Sequence, residues 1–295
     1  MRFEYYHEPA TIGECLELLM HYGPEGLILG GGTDLVPRLR SRSIKCKALI
    51  SLDYLVELSK IQEKPDGSVE IGATKTLTEV MNSELLADGM DVIRQGAMHV
   101  SSMQVRNVAT LGGNSCNASP GADTVPGLIA AKAMAQILED GEEKHVPLER
   151  FFVAPGKTIL RPGSLLAGFQ IPPPLPNSGG CYKKYAIRGD TDLAIVGVAA
   201  QVSLNDKGTI KEARVVLGAV APTALRAIEA EQRLVGAFPG EEAAYEAAER
   251  AAQECSPISD QRASADYRKE MVRVWTRHAL LEAFHKASKA VDAYQ

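Results

Sequence analysis

The spacing of apolar residues changes several times along the chain, and each change marks an element. Ile12, Cys15, Leu16, Leu18, Leu19 and Met20 recur at helical intervals. They predict a short amphipathic helix over 11–22, ended by Gly23-Pro24. Leu27-Ile28-Leu29 predicts a short buried strand that runs directly into Gly30-Gly31-Gly32. Residues 48–52 and 69–73 predict two more strands, with a turn at Pro65-Asp66-Gly67 between them. Thr76 and Glu79 have the spacing of a capping box. Leu77, Val80, Met81, Leu85, Leu86, Met90, Ile93 and Ala97 then continue a helical pattern to Val100. Over 101–122 the periodicity fades into Ser, Asn, Gly and other small residues, which predicts a long polar loop, either functional or disordered. Residues 128–138 are apolar again, Asp140-Gly141 marks a turn, and 165–171 predicts a strand.

The stretch 172–180, PPPLPNSGG, combines stiffening prolines with a loose glycine end and predicts an interdomain linker. Beyond it lie three β-rich runs, 181–187, 193–203 and 210–220, with a hairpin turn at 205–208. Helical patterns follow over 222–235, 241–254 and 264–291. Strands followed by helices imply an α+β domain over 181–291, distinct from the region 1–175. A length of 295 residues is also that of two domains.

Composition removes several functional classes. The formal charge is −5 and no basic stripe stands out, so a nucleic-acid partner is not expected. Aromatic residues are 5% of the chain, with Trp275 the single tryptophan, which also argues against a base-stacking platform. No apolar run approaches the ~20 residues of a membrane span, and the start MRFEYYHEPA has no signal-peptide pattern. The expected location is cytoplasmic. The cysteines, Cys15, Cys46, Cys116, Cys181 and Cys255, are widely spaced and form no CxxC, so neither a zinc site nor an iron–sulfur cluster is expected in this chain.

Two glycine-rich turns carry the candidate chemistry. In LILGGGTDL, 27–35, a strand ends in three glycines; the missing Cβ atoms let a ligand approach the main chain, and successive N–H groups can form an anion nest. Asp34 is placed to cap the segment 35–40. The third glycine of a Rossmann fingerprint is absent, as is the GxxxxGK[ST] of a P-loop. In RNVATLGGNSCNASPGAD, 106–123, Gly112-Gly113 offers a second close approach; Thr110, Asn114, Asn117 and Ser119 add neutral hydrogen-bonding groups. Asp123 precedes an apolar run, where it either caps a helix or holds a ligand hydroxyl. Two amide clusters suit a ligand with two phosphates; turns without a ligand remain the other reading.

GGGTDL at 30–35, RNVATLGGN at 106–114 and ASPGADTVP at 118–126 resemble the flavoprotein subunit of the molybdenum hydroxylase family, which includes xanthine dehydrogenase and aerobic carbon monoxide dehydrogenase. RGDTDLAIVGVAA at 188–200 and LGAVAPTALRA at 217–227 resemble that family's C-terminal domain, so the likeness covers nearly the whole chain. It implies the two-subdomain FAD-binding fold shared with vanillyl-alcohol oxidase, over about 1–58 and 59–175, followed by a C-terminal antiparallel sheet with helices. It implies FAD as cofactor, contacted by Ile28, Leu29, Gly30, Gly31, Gly32, Thr33, Asp34 and Leu35 in the first loop. The second loop would contribute Thr110, Leu111, Gly112, Gly113 and Asn114. Asp123 falls on an acidic FAD-binding position, Leu166 on a hydrophobic position beside the flavin, and Lys184 on a lysine that approaches it, with Lys183 as the other match. An aromatic position of the family is Val100 here, so Tyr182 or Tyr185 is left to shield the ring. The chain lacks the cluster-bearing insertion of the hydroxybenzoyl-CoA reductases.

The implied function is electron transfer. A molybdopterin-binding large subunit would oxidise substrate, a small subunit would carry [2Fe–2S] clusters, and the FAD would pass electrons to NAD+, quinone or oxygen. No side chain of this chain is then required as a catalytic acid or base. Two alternatives fit the same residues: a free-standing FAD-dependent oxidase of a small substrate, and a non-catalytic assembly subunit. Arg268, Lys269, Arg273 and Arg277 on the last helix form either a docking set or a solvated face.

Overall fold

A computed structural model of the chain describes residues 3–189 and 191–292; Asp190, within the RGDTDL stretch, lies outside the described residues. Three sheets carry the architecture. The first is parallel, with β1 (Tyr5–His7) and β2 (Gly26–Leu29) flanking β3 (Ala48–Ser51). Helix α1 (Ile12–Tyr22) begins at Thr11, whose hydroxyl accepts from the Glu14 amide, and it packs Cys15 and Leu19 against Ile50. Strand β2 is half-buried rather than buried, because it is the edge of this sheet. Helix α2 (Leu35–Arg40) follows the triple glycine; Asp34 precedes it but makes no capping hydrogen bond.

The second sheet is antiparallel, in the order β4 (Ile61–Glu63), β5 (Val69–Gly72), β10 (Leu165–Ile171), β6 (Met134–Glu139), β7 (Glu142–Pro147). A small hairpin of β8 (Phe152–Ala154) and β9 (Lys157–Thr158) stands apart. The single helix expected over 76–100 is in fact α3 (Leu77–Met81), two 3-10 turns and α4 (Asp91–Met98). The capping box at Thr76 and Glu79 is present. The break follows from Asp88, which takes a left-handed φ of 51°, and from Arg94, whose Nε caps α3 by donating to the Met81 carbonyl. The polar stretch 101–122 is likewise not a loop. It folds into α5 (Met103–Arg106) and α6 (Leu111–Cys116), whose caps, Ser102 and Thr110, each accept an amide at the helix start. Both helices are too short for periodicity to reveal them. The apolar run 128–138 is divided by Lys132, at φ 61°, into the end of α7 (Thr124–Ala130) and the start of β6.

The third sheet runs β11 (Ser178–Tyr185), β12 (Val196–Leu204), β13 (Ile210–Gly218), β14 (Leu225–Arg226). The expected linker therefore ends in strand: Gly179 lies under the last helix, where a Cβ would meet the Ala283 carbonyl at 2.4 Å. After β14 come α8 (Ile228–Leu234), α9 (Glu241–Glu254) and α10 (Ala265–Asp292). The helix expected from Pro222 starts at Ile228, because residues 225–226 extend the sheet instead.

Strand periodicity in this third sheet decides what each side chain meets. Val196, Val198, Ala200, Val202 and Leu204 of β12, with Cys181 of β11, join the core under α9 and α10. Ala199 of β12, Val216 of β13 and Tyr182 of β11 point the opposite way and join the core of the five-stranded sheet with α4 and α7. The sheet is buried on both faces and belongs to two cores.

Candidate functional site

The first glycine turn lies directly against the segment leading into α6. A Cβ on Gly30 would stand 3.1 Å from the Thr110 hydroxyl, and one on Gly31 would stand 2.0 Å from the Val108 carbonyl oxygen. Gly32 adopts φ +67°, a conformation that strains any side chain. Among the described residues, no backbone N–H from Gly30 to Leu35 has an acceptor within the chain. The surface at Thr33 and Asp34 is exposed. A run of unspent donors on a turn with no Cβ wall is an anion cradle.

The second glycine pair is built differently. The Leu111 amide donates to the Lys75 carbonyl, Gly112 to Ala73, Gly113 to the Thr110 hydroxyl, and Asn114 to the Thr110 carbonyl. A Cβ on Gly112 would collide with Ala73, at 2.6 Å from its Cβ and 2.7 Å from its carbonyl. Gly112 therefore serves close packing inside the protein, the Gly113 amide is spent on Thr110, and the expectation of two amide nests is corrected to one. What Thr110 retains is its hydroxyl hydrogen, because its oxygen already accepts from Gly113.

The wall continues into α7. The Asn114 Oδ1 accepts from the Thr124 hydroxyl at 2.7 Å, which holds α6 beside the start of α7 and beside Asp123. Asp123 does not cap its helix. Its Oδ1 accepts from the Tyr182 hydroxyl at 2.8 Å and its Oδ2 from Lys184 Nζ at 2.9 Å; the same ammonium donates to the His99 carbonyl at 2.9 Å. The side chains of Lys184 and Asp123 are only 2% and 7% exposed, so this is a buried ion pair. Desolvation lifts the Asp123 carboxyl above the ordinary carboxylate range, against the opposing pull of Lys184 and of the hydrogen bonds from Lys184 and Tyr182.

Strand alternation separates the two lysines. Lys184 shares the Tyr182 face and reaches Asp123, whereas Lys183 points to the other face and pairs with Glu282 of α10 at 2.5 Å. Tyr185 is also on the α10 side, stacked on Trp275 and hydrogen bonded to Tyr267. Tyr182 sits beneath Gly197, where a Cβ would come within 2.6 Å of its hydroxyl. Leu166 is buried in the core at a bulge of β10.

The structure thus joins Gly30–Gly32, Thr110, Asn114, Asp123 and Lys184 along one wall. It also adds Tyr182 as a hydroxyl donor, the His99 carbonyl, and Gly197 to make room. The i, i+2 spacing of Tyr182 and Lys184 on a strand could have revealed the first; nothing in the sequence marks the other two. Of the last-helix charges, read as either a docking set or a solvated face, the three arginines are engaged within the chain. Arg268 is buried and bonded to Asp260 and to the carbonyls of Ile195 and Ala219, while Arg273 pairs with Glu249 and Glu270, and Arg277 with Glu241. No three His, Cys, Asp or Glu side chains among the described residues cluster as a metal site. No helix of the described residues is long and apolar enough to cross a membrane.

A free-amide turn beside a Thr-capped helix, followed by a sheet-and-helix domain, matches known families over both parts. Residues 1–174 match the FAD binding domain in molybdopterin dehydrogenase, and residues 181–283 match the carbon monoxide dehydrogenase flavoprotein C-terminal domain. The chain belongs to the FAD-binding subunits of the molybdopterin dehydrogenases, an oxidoreductase family. It is 31% identical over 282 residues to the xanthine dehydrogenase FAD-binding subunit of Escherichia coli O157:H7, covering 95% of this chain and 96% of that one. Among solved structures it is similar to a chain of carbon monoxide dehydrogenase from Hydrogenophaga pseudoflava, with TM-score 0.92, 31% identity and coverage of 97% and 98%. Quinoline 2-oxidoreductase from Pseudomonas putida 86 gives TM-score 0.89 at 30% identity, with coverage of 97% and 99%.

Proposed function

We propose that the chain houses FAD for a cytoplasmic molybdenum hydroxylase complex. A molybdopterin-binding large subunit would oxidise the substrate, and a small subunit with [2Fe–2S] clusters would carry the electrons here. The acceptor would be NAD+, quinone or oxygen. The observation that carries the site assignment is the set of unspent N–H donors from Gly30 to Leu35. They fit a diphosphate because each can donate without breaking a bond of the fold. FAD bound there would supply a redox centre that exchanges electrons one or two at a time.

The chain's own residues bind and orient. Residues Ile28 to Leu35 would cradle the pyrophosphate, with the Thr110 hydroxyl adding one donor. Leu111, Gly112, Gly113 and Asn114 would support that wall through packing. Asp123, with two of its acceptor positions held by Tyr182 and Lys184, retains others for a ligand hydroxyl. Lys184 would hold the domain interface and carry a positive charge largely compensated by Asp123. Leu166 would support the flavin from the core. No proton transfer by a side chain is needed.

The test is flavin content. The complex, purified from its native host, should release FAD stoichiometrically with this chain, and Gly30→Val, whose side chain meets only the Thr110 side chain within the fold, should remove it. A full flavin complement in that variant would sink the cradle assignment. Substrate turnover by the isolated chain would instead favour the free-standing oxidase.

A further inference from the structure

A second site lies where the segment 119–121 meets the C-terminal domain. A cavity of about 240 Å³ opens there, with Ser119, Leu193, Ser256, Asp260, Arg262 and Arg268 in its wall. This is below the ~300–1,000 Å³ of pockets that take drug-sized ligands, so the occupant must be small. Two guanidinium groups face one carboxylate. Arg262 donates to Asp260 through Nε at 3.0 Å and Nη2 at 2.6 Å, and Arg268 donates to it through Nη2 at 2.9 Å. The wall therefore keeps one net positive charge.

Arg268 is the decisive residue. Its side chain is 2% exposed, and Nη1 is spent on the carbonyls of Ile195 and Ala219 at 2.7 and 3.2 Å. Its Nε is closed off in the interior. Its Nη2 donates one hydrogen to Asp260 and keeps a second with no acceptor among the described residues, and folds satisfy nearly all such buried groups. The Ser119 oxygen accepts from the Gly121 amide at 3.3 Å, so its hydrogen remains available. The rest of the wall includes Pro120, Leu193, Ala194 and Ile258, which are apolar.

We propose that this cavity is a binding site for a small organic monocarboxylate, its oxyanion meeting Arg268 and Arg262 and its short carbon chain covering the apolar wall. A carboxylate accepts the unspent Nη2 hydrogen and answers the residual charge together. A neutral ligand would satisfy only the first, and an inorganic anion would leave the apolar wall uncovered.

The probe is butyrate, titrated calorimetrically into the full chain at constant ionic strength, with butanamide and chloride as controls. The expected result is saturable binding of butyrate alone. Arg262→Gln should weaken it about ten- to a hundredfold, the loss of one charged hydrogen-bonding group. Ala221→Phe, which fills the cavity from its partly exposed rim, should abolish binding while leaving the unliganded melting temperature close to that of the parent. Selective ¹⁵N spectra of arginine Nε groups supply a second readout, in which the Arg268 resonance should move with butyrate. Absence of butyrate binding would overturn the proposal. So would equal binding of butanamide or chloride, or unchanged binding in Ala221→Phe.

Discussion

Removing one partner of the Lys184–Asp123 pair should cost far more than removing both. At 2.9 Å and an effective dielectric of about 20, the attraction is about 6 kcal/mol. Burial of both groups consumes most of that, since desolvation costs several kcal/mol per ion. The pair is therefore close to neutral in net stability, but each half is expensive alone. Lys184→Met leaves the Asp123 carboxylate buried with only Tyr182 as a donor, at an expected cost of about 3–5 kcal/mol. For a unit of about 150–250 residues, this lowers the melting temperature by about 6–20 °C. Asp123→Asn/Lys184→Met should recover most of the loss. The assay is a double-mutant cycle by calorimetry on the flavin-free full chain, so that ligand linkage does not contribute. Single effects that add to within about 0.5 kcal/mol would refute this account of the pair.

Three further outcomes follow from the same geometry. Gly112→Val should lower the melting temperature even without flavin, by an overpacking cost of about 1–3 kcal/mol, because the new side chain meets Ala73 rather than a ligand; an effect seen only on FAD affinity would contradict this. Gly197→Val should push the Tyr182 hydroxyl off Asp123 and lower the melting temperature at least as much as Tyr182→Phe, which removes the same hydrogen bond; a melting temperature equal to the parent's would contradict this. Asp260 should shape the acid limb of stability. Burial raises its carboxyl pKa, but hydrogen bonds from Arg262, Arg268 and nearby amides outweigh this and hold it well below the ordinary range. Its contribution is complete above the unfolded value of about 4 and is lost as pH falls towards the folded value. Asp260→Asn should flatten denaturation curves between about pH 4 and pH 2, and an unchanged acid slope would count against that role.

The long amphipathic patterns were readable directly. Residues 11–22 and 241–254 give helices, and 165–171 and 181–220 give strands, because each repeats its period often enough to be seen. The 76–100 and 101–122 stretches were misread for the opposite reason. Their helices last four to eight residues, and their ends are set by single caps and by left-handed residues at Asp88, Ser101 and Ala118. The first glycine turn was legible as a cradle, since glycine spacing reports backbone freedom. Whether an amide is already spent was not legible: Gly112 and Gly113 resemble Gly30 and Gly31 in sequence, yet the Gly112 amide is spent on the distant Ala73 carbonyl and the Gly113 amide on the Thr110 hydroxyl. Arg268 was misjudged in the same way, because a helix-surface charge and a buried clasp have identical spacing.

The third sheet works as a party wall. Each successive residue of β12 is owned alternately by the helices behind it and by the domain in front, so neither side has a face of its own to show to water. Cutting the chain in the proline segment would leave α4 and α7 with a stripped apolar surface, and would leave the remaining sheet with a bare one. The C-terminal half is thus not an accessory that can be exchanged among relatives by joining pieces at the prolines. A chimera would have to keep the odd and even positions of β11 and β12 matched to two different parents at once.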